Sequence, residues 1–320
     1  MDKHDNEDGP DNGWLRETSR RVAREIRRTR RRTWLSRHGN KVVSALALLA
    51  VIALLIGVFR PGEGDPAPSP AAAPTAIKPV DLAEPFHGTP ADGWADGAAA
   101  ITAPQAAALG EYSAEQVADA YARTRAAVIA ARLDRRVLEG GDVEPLLGLF
   151  APDDQEGMRP LFAGGRDDEA GLLATRVARG TKLLPVEPKV SGSMTAQVKG
   201  PGELVVHTDY VFAYAFFTDR PDQLHGPMDI VAVTRVRYDY IFRSGPQFRP
   251  ESHGMWSGHA TGHSYSIACT ASRDGFLAPS FTDTPNQRAQ TKQGSSAEEG
   301  RPEDYFDAAK PMPTINTCPA

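Results

Sequence analysis

Three histidines fall in one short stretch, at His253, His259 and His263, and two cysteines follow at Cys269 and Cys318. His259 and His263 lie in a segment that reads as a β-strand. At ~3.3 Å per residue they share a face but stand about 13 Å apart. That is too far for two ligands of one zinc unless the strand bends, and no Cys or carboxylate stands at metal-ligand spacing beside them. Surface or hydrogen-bonded histidines are the expectation, with no metal. The two cysteines are expected to pair if they stand in an oxidising compartment. Closing a loop of that length stabilises by about 4 kcal/mol in the chain-entropy account.

A second constellation is His207 and Asp209, with Tyr210 and Tyr214 beside them. Either of the first two is the right type for a general base, and either tyrosine for a hydrogen-bond donor. Period-two alternation, however, sends Asp209 and Tyr210 to opposite faces of one strand. A structural role fits better: Arg235, Arg237 and Asp239 occupy the same face of the next strand. If the strands pair, opposite charges meet in a row worth tenths of a kcal/mol to about 1 kcal/mol per pair. Gly-rich phosphate loops are absent, and Ser191-Gly192-Ser193 lacks the flanks of a nucleophile elbow. No catalysis and no cofactor are expected.

These residues need strands to position them. From Lys189 onward the apolar period is two. Leu204, Val206, Tyr210, Phe212, Tyr214 and Phe216 alternate along one strand, and Met228, Ile230, Val236, Tyr238, Tyr240 and Phe242 along the next. Met255, Tyr265, Ile267 and Cys269 are expected on one face of a third. Aromatic and β-branched residues favour this reading.

Ahead of the strands the period is helical. Ser113 and Gln116 form a capping-box pattern, with Tyr112 and Val117 as a hydrophobic staple. The helix that follows carries one apolar stripe at Val117, Ala120, Tyr121, Thr124 and Val128. A second runs through Ala122, Ala126, Ile129, Leu133 and Val137, and Gly140 and Gly141 end the helix. Shorter helices are expected from Asp142 to about Phe150, with Pro152 beyond it, and from Asp167, as N-cap, to Ala178. Helices followed by strands predict an α+β domain, with the long helix packed on a curved antiparallel sheet.

The remaining chain concerns placement. Val42–Phe59 holds eighteen residues without charge, about 27 Å as a helix, which matches the ~30 Å hydrocarbon core. Residues 1–41 carry 12 basic and 7 acidic side chains, whereas the chain from Arg60 onward carries 24 and 34. The basic excess before the apolar run predicts a cytoplasmic N-terminus and an outer C-terminal domain. Arg31-Arg32-Thr33-Trp34-Leu35 loosely resembles a twin-arginine export signal, but the apolar run is longer than the ~7–15 residues of a signal core.

As a helix, residues 20–32 would align Arg20, Arg24, Arg27 and Arg31 on one narrow face against anionic lipid headgroups, at about 1 kcal/mol each. The acidic exterior argues against nucleic acid as a partner. Seven prolines between Pro61 and Pro85 make a linker reaching up to ~75 Å.

The expected organisation is a basic cytoplasmic segment 1–41, a transmembrane helix 42–59, a linker 60–85, an outer α+β domain 86–275 and a polar, largely disordered tail 276–320. With one anchor before helices and long strands, the chain over about residues 110–270 resembles the NTF2-like (cystatin-like) outer domains of VirB8-type and Mce-associated membrane proteins. Tyr112–Val117 and Leu133–Leu138 also resemble uncharacterised anchored proteins of high-G+C Gram-positive bacteria. The resemblance implies an envelope scaffold or binding part with a protein or envelope-polymer partner. The same fold hosts enzymes and small-ligand binders, which is the alternative.

Overall fold

The computed structural model describes residues 80–164, 167–284, 287, 305–312 and 318, with residues 167 and 168 as backbone only. The cytoplasmic segment 1–41 with Arg20, Arg24, Arg27 and Arg31, the expected membrane helix 42–59, and linker residues 60–79 lie outside the described residues. Among the described residues no helix is long and apolar enough to cross a membrane.

The alternating segments form one open antiparallel sheet in an α+β domain. Its strands are β1 (Ala95–Asp96), β2 (Lys189–Gly200), β3 (Glu203–Ala215), β4 (Val231–Arg243) and β5 (Gly254–Tyr265), each hydrogen-bonded to its neighbours in sequence order. Even-numbered residues of β3 and β4 point to the helices. Tyr210, Phe212, Tyr214, Tyr238 and Tyr240 are buried there, as is Phe216 just past β3.

Helix α1 (Ala114–Arg132) covers this face. The capping box forms as read: Ser113 Oγ accepts from the Gln116 N–H at 3.2 Å, and Gln116 Oε1 accepts from the Ser113 N–H at 2.8 Å. The first stripe, Val117, Ala120, Tyr121, Thr124 and Val128, is buried throughout. The second is not: Ala122 is exposed and Ala126, Ile129 and Leu133 are partly covered, while Ala127 and Ala131 are buried instead.

Nor does α1 run on to Gly140. Asp134 accepts the Arg136 N–H at 2.9 Å and caps a new helix, α2 (Arg135–Leu138). A short acid that competes for backbone N–H groups starts helices better than it continues them.

Two further helix expectations shrink. Asp142–Phe150 reduces to α3 (Glu144–Leu147), and Pro152, expected beyond a helix, opens α4 (Pro152–Met158) at its first position, where a missing N–H costs nothing. The helix from Asp167 is α5 (Asp167–Leu173), with Asp167 inside it and its end five residues before Ala178. Beyond it, Thr175 N–H bonds Ala131 O at 3.0 Å and Val177 N–H bonds Leu138 O at 2.7 Å. Tertiary partners thus take β-branched residues out of the helix.

On β5 the expected common face fails. Tyr238 pairs with Ala260 but Tyr240 with Ser257, so Gly258 and His259 together oppose Asp239 as a bulge. A Cβ at Gly258 would lie 2.6 Å from Asp239 O, so only glycine fits there. The extra residue flips the alternation. Met255 pairs with Phe242 and Tyr265 with Val233, on opposite faces, and Cys269 opens a separate helix, α6 (Cys269–Arg273).

The other sheet face is half apolar. Val211, Ala213, Val231 and Val233 bury against Val80, Phe86, Leu184, Tyr305 and Phe306. Packing therefore includes Val80 and its neighbours, inside the segment read as linker. Parts of the tail read as disordered also pack, through Leu277, Ala278, Tyr305 and Phe306. Tyr305 stacks on Tyr265 at 4.4 Å between ring centres, and Phe306 meets Trp94 edge-on at 5.7 Å. These aromatic contacts supply the apolar burial that the tail's overall composition lacks.

Cys269 and Cys318 lie at disulfide distance, with Cα atoms 5.1 Å apart and a sequence separation of 49. Replacing both with serine is expected to lower stability by about 4 kcal/mol, read as the shift of the urea unfolding midpoint against the oxidised protein. An unchanged midpoint excludes the cross-link as a stabilising element. Gly192, at φ +154°, would place a Cβ 2.3 Å from Asp209 O. Gly192→Ala should therefore cost about 1–3 kcal/mol in the same measurement.

Candidate functional site

The register of β3 with β4 decides where the chemistry-bearing residues go. His207 pairs with Asp239, Asp209 with Arg237 and Val211 with Arg235, all on the face away from the helices. His207 Nδ1 lies 2.7 Å from Asp239 Oδ1. Asp209 receives both Nε (2.9 Å) and Nη2 (2.7 Å) of Arg235, and Nε of Arg237 at 2.6 Å. Further along, Arg243 bonds Glu203 at 2.9 Å and lies over the Trp256 ring at 4.2 Å. The charged row read from alternation is thus built, with His207 and Asp209 inside it.

Arg235 is the buried centre of this row, 2% exposed. Its remaining donors reach the backbone of the tail, at Lys310 O (2.8 Å), Ala308 O (2.6 Å) and Asp307 O (3.3 Å). One guanidinium therefore joins β3, β4 and residues 307–310. Burial pushes the Asp209 carboxyl upward, but the hydrogen bonds from Arg235 and Arg237 outweigh it and hold the group below the usual carboxylate range.

Tyr210 and Tyr214, the donors considered for acid–base work, lie on the opposite, helix-facing side. Tyr214 Oη donates to Arg132 O at 3.0 Å, and burial raises the pKa of both phenols to about 12. Neither tyrosine converges with His207 or Asp209. The helix-facing side is filled by their rings: Tyr210, Phe212 and Tyr214 follow one another at 6.2 Å, and Tyr238 and Tyr240 at 4.6 Å. Asp209 does border an open depression of about 610 Å³ between Trp94, Ser191, Ser193 and Phe306, on the face away from the helices.

The histidines do not assemble. His259 is exposed in the bulge of β5. His263 stacks on Tyr305 at 5.2 Å, with its pKa lowered by burial and by Arg235. His253 turns its Nε2 toward Gly245 O and Phe248 O. Among the described residues no group of three or more metal-ligating side chains comes together.

A pocket of about 350 Å³ opens where the end of α5 meets β5 and the turn after α6. Arg132, Thr175, Arg176, His263 and Phe276 are among its lining. Sequence reading passed over Arg132, the last residue of α1, although a signal was present. The buried stripe Thr124, Val128 continued by four residues lands on Arg132, a charge on an apolar face. Comparison with protein-family profiles, with curated proteins and with solved structures found no match.

Asp209 titrates lower in the folded than in the unfolded chain, so its contribution is complete above about pH 4. It is lost as the pH falls through the folded value. Asp209→Asn should lower stability at pH 7 by about 3 kcal/mol, since Arg235 is left buried without its counter-charge. It should also flatten the loss of stability between neutral and acid pH. An acid slope identical to that of the unmodified protein would show that this carboxylate does not govern it.

Proposed function

We propose that the chain is a single-pass membrane protein whose outer domain, of NTF2-like (cystatin-like) type, binds a protein or an envelope polymer and performs no catalysis. In this reading, residues 42–59 cross the bilayer, residues 1–41 stay in the cytoplasm, and the arginine face from Arg20 to Arg31 lies on anionic headgroups. The resemblance to VirB8-type and Mce-associated proteins supports a scaffold role in the cell envelope.

One observation carries the functional half. The space between sheet and helices, where a domain of this type would hold a substrate, is occupied by tyrosine and phenylalanine rings. His207 and Asp209 are engaged by charges on the neighbouring strand, on the face turned away from that space. That outer face offers a broad surface of mixed character: the charged row, the exposed side chains of Ser193, Thr195 and Gln197 on β2, and Trp94 beside Phe306. Broad, mainly polar surfaces with a few aromatic anchors suit macromolecular partners better than small substrates. A close approach of Cys269 to Cys318 accords with an oxidising compartment.

The test uses the full chain in intact cells. A tag placed after Ala320 should be removed by protease added outside, without lysis. A photo-reactive residue at Thr195 should give a discrete adduct, and one at Arg123, exposed on the helix side, should not. A tag that survives until lysis reverses the orientation and removes the proposal. Adducts of equal yield from both positions leave the sheet face with no special role.

A further inference from the structure

Arg132 and Arg235 are the two arginines least exposed to solvent in the domain, at 4% and 2%, and they are treated differently. Arg235 has a carboxylate, Asp209, held by two hydrogen bonds. Among the described residues, the hydrogen bonds of Arg132 go only to neutral oxygens: Gly171 O at 3.2 Å, Leu172 O, and Thr175 Oγ1 at 3.0 Å. Gly171 and Leu172 belong to the last turn of α5, so the guanidinium meets the negative end of a short helix dipole. That offsets part of a charge, whereas buried guanidinium groups ordinarily stand against a full negative charge. Burial accordingly pushes the pKa of Arg132 down from its usual value.

The 350 Å³ pocket lies beside this charge. Arg132, Arg176 and Arg235 are all among its lining residues, and among the described residues no Asp or Glu is. Leu172, Val236 and Phe276 give it an apolar patch, beside the hydroxyl residues Thr175, Thr234, Ser264 and Ser272. His263, also in the lining, has a buried Nε2 without a hydrogen-bond partner among the described residues. The volume falls at the small end of ligand pockets, roughly 300–1,000 Å³. The buried charge of Arg132, met by neutral oxygens, together with an apolar patch and this size, defines a ligand chemistry.

We propose that this pocket binds a small organic carboxylate, its anionic end toward Arg132 and its apolar body against Phe276 and Val236. The site opens at the β5 edge of the sheet, and the inference stands whether or not the outer sheet face binds a macromolecule.

The test compares benzoate with benzyl alcohol, which has the same ring without the charge, on the full-length protein in detergent. Benzoate should raise the thermal unfolding midpoint in a saturable way, as a ligand of the folded state does, and benzyl alcohol should not. Arg132→Gln removes the charge but also the clamp on α5, so loss of folding in that variant would not test the site. The informative variant is Ser272→Glu, which places a carboxylate in the pocket lining away from the α5 clamp. It should fold, and it should weaken benzoate by about tenfold or more. Equal effects of benzoate and benzyl alcohol, or full benzoate binding by Ser272→Glu, would overturn the proposal. So would inorganic phosphate binding more tightly than benzoate.

Discussion

The register between β3 and β4 is the constraint on which the other features depend. Thirteen consecutive pairs run from Glu203↔Arg243 to Ala215↔Val231. Side chains alternate with a period of two, so a slip by one residue would exchange the faces entirely. Tyr210, Phe212 and Tyr214 would turn to the outer side, and His207 and Asp209 would enter the packing against α1. Both faces oppose that slip, one through aromatic burial and the other through matched charges. The aromatic face contributes most of the free energy, at about 25 cal/mol per Å² of apolar surface removed from water. The charged face contributes mainly selectivity, because opposite charges meet only in the observed register.

From that register follows the role of Arg235. It stands on β4 opposite Val211 and diagonal to Asp209, where one half of the outer face is apolar and the other charged. A buried ion pair adds little net stability over an apolar alternative but makes loss of either partner expensive. Here the guanidinium also holds three carbonyls of residues 307–310. The tail is therefore fixed at three kinds of contact: Tyr305 and Phe306 on aromatic neighbours, its backbone on Arg235, and Cys318 beside Cys269.

What the sequence disclosed, and what it hid, follows the range of the interactions involved. Local signals were legible. The Ser113–Gln116 box, the stripe from Val117 to Val128 and the even-numbered aromatics of β3 and β4 each depend on neighbours a few residues away. The row from His207 to Asp239 was legible once pairing of adjacent strands was assumed. The bulge at Gly258–His259 was not, because it is set by contact with Asp239 O on another strand, and missing it misplaced Tyr265. Asp134 looked like a residue inside a helix until its side chain took the Arg136 N–H. Tyr305 and Phe306 sit in a polar sequence, and only the apolar half-face of β3 and β4 gives them somewhere to bury.

The contrast between Arg132 and Arg235 bears on where specificity would reside in such a domain. A side chain whose charge is answered within the fold, as that of Arg235 is by Asp209, has its free energy committed to holding the chain together. A side chain whose charge is met by carbonyl and hydroxyl dipoles, as that of Arg132 is among the described residues, leaves an electrostatic field directed into whatever space adjoins it. In a low-dielectric interior that field is strong. The rings of Tyr210, Phe212 and Tyr214 close the centre of the sheet, so the space adjoining Arg132 is the gap at the edge between α5 and β5. With the middle of the domain filled, the proposed carboxylate site falls at the margin, and the proposed macromolecular partner is left the outer sheet face, where the charges are paired.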